Sequence, residues 1–139
     1  MNINYKLAHP DAKKPYQATE GAVCVDLHAV AMIETDLYVE YDTGVIVDLP
    51  EDVACFLYAR SSVSNKGLIL ANGVGVIDSD YRGTIKARFY KMSLDSTPYE
   101  VGDRVCQLEF RHKPFVQLTQ VADLAPTDRN TGGFGSTGD

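Results

Sequence analysis

The chain runs to 139 residues, enough for one domain whose core needs neither metal nor disulfide. Nineteen acidic side chains against thirteen basic ones leave a net charge of −6, and no basic stripe exists to displace counterions from nucleic acid. No apolar run approaches a membrane span and no basic-apolar leader opens the chain, so the expectation is a soluble, cytoplasmic protein engaging neither nucleic acid nor membrane.

Short alternating stretches follow one another with turn residues between them. Leu37, Val39 and Tyr41 alternate, then Val45, Val47 and Leu49. Val53 to Ala59 and Leu68 to Leu70 are denser, which predicts strands buried on both faces. Between them, residues 60–67 predict one short helix, with a serine capping its start and Gly67 ending it. Val74, Val76 and Ile77 lead into a turn, and Ile85, Ala87 and Phe89 lead out at period two. Cys106, Leu108 and Phe110 form the last alternating run. Regular short strands punctuated by Gly, Pro, Asp and Asn predict an all-β sandwich or barrel. From Ala122 onward the chain turns polar and glycine-rich, dividing a body (1–121) from a C-terminal arm (122–139).

Cys24, Cys55 and Cys106 are odd in number and sit in apolar, strand-like settings without the paired spacing of a zinc site. His9, His28 and His112 are too scattered to make one. Buried free thiols in a reducing compartment are expected.

The densest chemistry lies in Asn72 to Gly83, where Asp78, Asp80, Tyr81 and Arg82 crowd one turn between two apolar stretches. Charged and aromatic groups so placed are costly unless they face water or a ligand. An Asp-Ser-Asp turn without function is the bland alternative. Four further segments keep it company: Val25-Asp26-Leu27-His28-Ala29, Ala59-Arg60-Ser61-Ser62, Gly102 to Leu108, and Arg129 to Gly138. In order and spacing these five segments resemble the trimeric dUTP pyrophosphatase family over nearly the whole chain.

The resemblance implies a jelly-roll-like β-barrel with one small helix and a flexible tail, assembled as a homotrimer whose three sites are shared between chains. It implies a Mg²⁺-dependent hydrolysis of dUTP to dUMP and pyrophosphate, limiting uracil in DNA and supplying dUMP. The family's catalytic aspartate falls on Asp78, which would orient and deprotonate the attacking water. Tyr81 falls on the ring under the deoxyribose, leaving no room for a 2′-hydroxyl. Asn72 falls at the uracil edge, where an amide can offer both donors and an acceptor, with Gly75, Val76, Ile77 and Lys86 nearby. Arg60, Ser61, Ser62 and Gln107 fall on phosphate contacts, while Asp103 and Arg104 brace the neighbouring strand. Asp26 falls near the metal, reached through water, with the phosphates as direct ligands. Cys24 stands where the family often has glycine, Val25 where tyrosine is frequent and Thr84 where an acidic residue is common.

The tail fits the first six positions of a phosphate-binding P-loop, but Asp139 stands where lysine is required. The resemblance makes it a lid instead: Phe134 between glycines stacks on the base, while Arg129, Gly135, Ser136 and Thr137 meet the phosphates. From Val121 to Phe134 the chain could extend roughly 45 Å, enough to reach another subunit. Two rivals remain. A dCTP deaminase of the same fold needs a glutamate where Arg88 stands, and arginine is a poor proton shuttle. A nucleotide-sensing regulatory protein would keep the site as a switch.

Overall fold

Every second side chain of a strand faces the same side, so a strand with one apolar row can bury only that row. A computed structural model describes residues 1–133 and shows how the rows are used. The strands in chain order are β1 (Asn4–Leu7), β2 (Val25–His28), β3 (Ala31–Glu34), β4 (Tyr38–Asp42), β5 (Val45–Asp48) and β6 (Val53–Ala59). A 3-10 helix (Ser61–Lys66) follows, then β7 (Leu68–Leu70), β8 (Gly75–Ile77), β9 (Lys86–Lys91) and β10 (Arg104–His112). The class is all-β, as expected. Among the described residues no helix is long and apolar enough to cross a membrane.

The strands pair antiparallel in two four-stranded sheets, ordered β2-β10-β6-β8 and β3-β4-β9-β7, with β1 and β5 as a separate pair. One core lies between them. Leu27, Leu57, Val105 and Leu108 enter it from the first sheet, and Val39, Tyr41, Ala87 and Phe89 from the second. Val45 and Val47 close it from the β1/β5 side. Tyr41 is wholly buried, and its hydroxyl donates to the Tyr99 carbonyl at 2.9 Å, so the core holds a tyrosine without an unpaired polar atom. Its ring meets Phe89 edge-on, centroids 6.0 Å apart.

Four expectations are corrected. β6 is not buried on both faces: Val53, Cys55 and Leu57 point inward, while Ala54, Phe56 and Tyr58 are half-buried on the outside. β7 likewise buries Leu68 and Leu70 but exposes Ile69. A two-sheet sandwich covers one face of each sheet within a chain, so dense apolar runs still split into two rows. Leu37 stands outside β4, exposed on the turn before it.

The predicted helix exists but is 3-10, and no serine side chain caps it: Arg60 occupies the cap position with extended backbone. Gly67 ends it at φ +62°, the left-handed conformation that favours glycine. The short, largely exposed β1 and β3 carry almost no alternation and were invisible in the sequence.

Candidate active site

Two clefts hold the chemistry. The first is built by the connection from β8 to β9. The Tyr81 amide donates to the Asp78 carbonyl at 3.1 Å and closes the turn. Arg82 then pins it: one guanidinium nitrogen donates to the carbonyls of Ser79 (2.7 Å) and Tyr81 (3.1 Å), and the other reaches the Asp48 carboxylate on β5 at 2.8 Å. The Tyr81 hydroxyl donates to the Thr84 carbonyl at 3.1 Å, and Thr84 in turn donates to Asp42 at 2.9 Å. A cleft of 160 Å³ opens between Val76, Ile77, Asp78, Tyr81, Ile85 and Lys86. On its other side Asp78 borders a groove of 470 Å³ shared with Ser79, Asp80 and Lys113.

Asp78 is exposed, and among the described residues its carboxylate makes no hydrogen bond or ion pair. Asp80, two residues on, is likewise unengaged among the described residues but borders only the larger groove, whereas Asp48 holds Arg82 and Asp42 lies 3.8 Å from the Lys86 ammonium. An unengaged carboxylate on a pinned turn keeps all its acceptor capacity for a water or a ligand. Asn72 lies on the turn before β8, its amide folded toward Gly75. A side chain at Gly75 would meet Leu57 Cβ at 3.0 Å, so this strand has no room on its inner side.

The second cleft, 350 Å³, gathers Cys24, Asp26, Arg60, Ser61, Arg104 and Gln107. It forms where β2 and β10 run together beside the start of the 3-10 helix. Asp26 is buried there, its two oxygens accepting from Arg60 Nε at 3.1 Å and from Arg104 at 3.0 Å. Asp26 is therefore the centre of a three-residue ion cluster, and its lone-charge appearance in the sequence reflects partners 34 and 78 residues away. Two guanidiniums against one carboxylate leave excess positive charge, which suits an anion. Ser62 and Gln107 brace the cleft: Ser62 Oγ is 2.9 Å from the Tyr99 hydroxyl, and the Gln107 amide donates to the Ala59 carbonyl at 2.9 Å.

Cys24 is half-buried and opens onto this charged cleft, unlike Cys55 and Cys106, which are core residues. Burial, then Glu109 and Asp26, push its thiol pKa up, so it stays protonated near neutral pH. Burial, helped by Lys13 and Arg104, pushes the neighbouring His28 pKa down and favours its neutral ring.

The structure thus brings Asp78, Tyr81, Val76, Ile77 and Lys86 to one cleft and Asp26, Arg60, Ser61 and Gln107 to the other, while Asn72 and Gly75 line neither. Arg129 joins neither; its guanidinium donates to the Gly132 carbonyl of its own turn at 3.0 Å. The tail positions Phe134, Gly135, Ser136 and Thr137 lie outside the described residues. Sequence reasoning missed Arg104, Arg82 and Lys113 as cleft-forming groups. Arg82 and Arg104 carried a signal, standing in segments already singled out, and Lys113 carried none.

The clefts are far apart within one chain. Ile77 pairs with Cys55, so Asp78 falls beside Ala54, while Arg60 stands six residues further on, just past the end of β6. Six extended residues span roughly 20 Å.

Comparison with known proteins follows this geometry. The dUTPase family model matches residues 11–138. The chain is 44% identical to the deoxyuridine 5'-triphosphate nucleotidohydrolase of Desulfitobacterium hafniense, covering 99% of this chain and 95% of that protein. It is 37% identical to the protein of that description from Escherichia phage T5, covering 98% of each. Among solved structures it is similar to the Staphylococcus bacteriophage 80alpha dUTPase G164S mutant with dUpNHpp, at TM-score 0.83 and 22% identity over 99% of both chains. A second structural match, the D95N mutant dUTPase of phage phi11, is described with a structural Mg(II) ion, at TM-score 0.75, 20% identity, 88% of this chain and 98% of that one. Two distant clefts on one all-β sandwich, one rich in arginine and one holding a free carboxylate and a tyrosine, are carried on a chain that belongs to the dUTPase family.

Proposed function

We infer that this protein hydrolyses dUTP to dUMP and pyrophosphate by water attack on the α-phosphorus. The observation that carries the reading is the unengaged carboxylate of Asp78 at the mouth of the cleft that Tyr81 lines. A carboxylate on a turn pinned by Arg82 can accept a proton from a water in line with the phosphorus, an effect worth about 10²–10⁴-fold. Tyr81 forms a wall against the sugar, and Asn72 with the β8 backbone supplies donors and an acceptor for a uracil edge.

Arg60 and Arg104 supply the countercharge for the phosphates, and the Ser61 hydroxyl a further donor. They stand roughly 20 Å from Asp78, further than one triphosphate allows between an attacked α-phosphorus and its own terminal phosphate. Asp78 of one chain therefore works with the arginine cleft of another, and the active unit is an oligomer, a homotrimer in our reading. Residues 122–139 act as an arm that closes over such a shared site.

The donor set fits a magnesium ion carried by the substrate. Among the described residues no three carboxylate, histidine or cysteine side chains converge. Asp26 is the one carboxylate in the arginine cleft, and each of its oxygens keeps a second lone pair for a metal-bound water. Magnesium keeps several waters and binds readily to phosphates, and when bound it supplies charge neutralisation and orientation of the phosphate chain.

The test is release of pyrophosphate and ammonia from dUTP, dCTP, dTTP and UTP with Mg²⁺. Pyrophosphate from dUTP alone is expected. Ammonia from dCTP would overturn the reading in favour of a deaminase; at the position a deaminase needs for its glutamate, Arg88 is instead held by Glu40 at 2.6 Å and 2.9 Å.

A further inference from the structure

We propose that Gly83 is a specificity-determining residue, because it is the seat on which the Tyr81 ring rests. The proposal builds on the hydrolase reading above and extends it to the residue that decides where the sugar wall stands.

The evidence is a close approach. A Cβ added at Gly83 would lie 2.5 Å from Tyr81 Cζ and 2.9 Å from Cε2, with the phenolic oxygen nearer still. Real Cβ atoms essentially never come so close, so any other residue fits at position 83 only if the tip of the ring moves out of the space it occupies. The backbone does not demand glycine here: Gly83 is absent from the positive-φ glycines, which are Gly44, Gly67, Gly73 and Gly102 among the described residues. Its requirement is purely one of room.

The ring is held on this seat at its tip and root. At the tip, the hydroxyl donates to the Thr84 carbonyl, one residue past the seat. At the root, Arg82 grips the Tyr81 carbonyl and anchors it to Asp48. What remains of the ring, 43% exposed for the residue as a whole, lines the cleft that Asp78 borders. A half-exposed tyrosine ordinarily swings between staggered rotamers. Here the chain folds back under it, and a mobile side chain becomes a fixed wall.

A fixed wall is what exclusion of a hydroxyl by shape requires. Shape alone discriminates against an added hydroxyl by something of the order of 10²-fold, and a wall that yields by an ångström forfeits most of it. A methyl group at position 83 must displace the ring, and the ring can move because a single exposed hydrogen bond, to the Thr84 carbonyl, holds its tip. Stability therefore changes little. Whether the ring tilts into the cleft or away from it, dUTP loses a fitted platform, whereas UTP, already poorly accommodated, has little to lose.

The experiment compares kcat/KM for dUTP and UTP in the full chain and in Gly83→Ala, with thermal melts of both. The expected result is an unchanged melt and a dUTP-to-UTP ratio lowered by about tenfold or more. A ratio unchanged within twofold in the folded variant overturns the proposal, since a structural role would lower both substrates together. Tyr81→Phe, which keeps the ring but removes the tie to Thr84, is expected to lower the ratio several-fold; should Gly83→Ala fail to fold, an unchanged ratio in Tyr81→Phe overturns the proposal instead. Wild-type protein inert toward dUTP would sink the hydrolase reading and this proposal with it, an outcome distinct from an active enzyme with an unmoved ratio.

Discussion

The Asp26 carboxylate on β2 accepts a hydrogen bond from Arg60 Nε at 3.1 Å, joining the edge of one sheet to the start of the 3-10 helix. Arg104 completes the cluster from β10. Asp26 is buried, with a side chain only 12% exposed, so neither guanidinium can be replaced by water without loss. Asp26→Asn is expected to destabilise the fold by about 2–4 kcal/mol, with the more exposed Arg104 contributing the smaller part. Denaturant titration measures it. A midpoint equal to the wild type's would show that the cluster is ornamental.

Asp78→Asn tests the base. The amide keeps the size and the turn but cannot take a proton, so kcat is expected to fall by about 10²–10⁴-fold while a non-hydrolysable dUTP analogue binds within a few-fold of wild type. Single-turnover rates and calorimetric titration separate the two quantities. Near-normal turnover would remove Asp78 from the mechanism.

Deleting the residues from Thr127 onward should abolish most hydrolysis and leave the melting temperature unchanged. The described part of this segment makes only local hydrogen bonds, such as those between Thr127 and Asn130, and supplies no residue to the core. A truncated protein of normal activity would dismiss the closing arm.

Stability should decline in alkali through the core thiols. Burial pushes the pKa of Cys55 and Cys106 up to about 12, from 9.0. Their folded values lie above the unfolded ones, so the unfolded chain binds fewer protons once pH passes 9 and unfolding becomes easier as pH rises toward 12. Below pH 9 the effect vanishes. Denaturation midpoints at pH 8 and pH 10.5 should differ, and the difference should shrink in Cys55→Ala/Cys106→Ala.

Much of the strand layout was legible because apolar alternation survives in a sandwich: Val45 and Val47, or Ala87 and Phe89, announce the inner rows directly. Gly67 announced the helix end for an equally local reason, its left-handed backbone. Asp26 was opaque. Its partners lie 34 and 78 residues away, and no local pattern records a distant ion pair. Arg82 was opaque as well, since its purchase on Asp48 depends on β5 lying beside the turn.

By itself the sequence determined the strand class, the position of the Asp78–Tyr81 turn and the family, because these rest on short-range periodicity and on ordered local segments. Only the tertiary structure decided that Asp78 and the arginine cleft stand at opposite ends of β6. Sheet order and register are made by hydrogen bonds between strands distant in the chain, and they alone set which side chains can share one ligand.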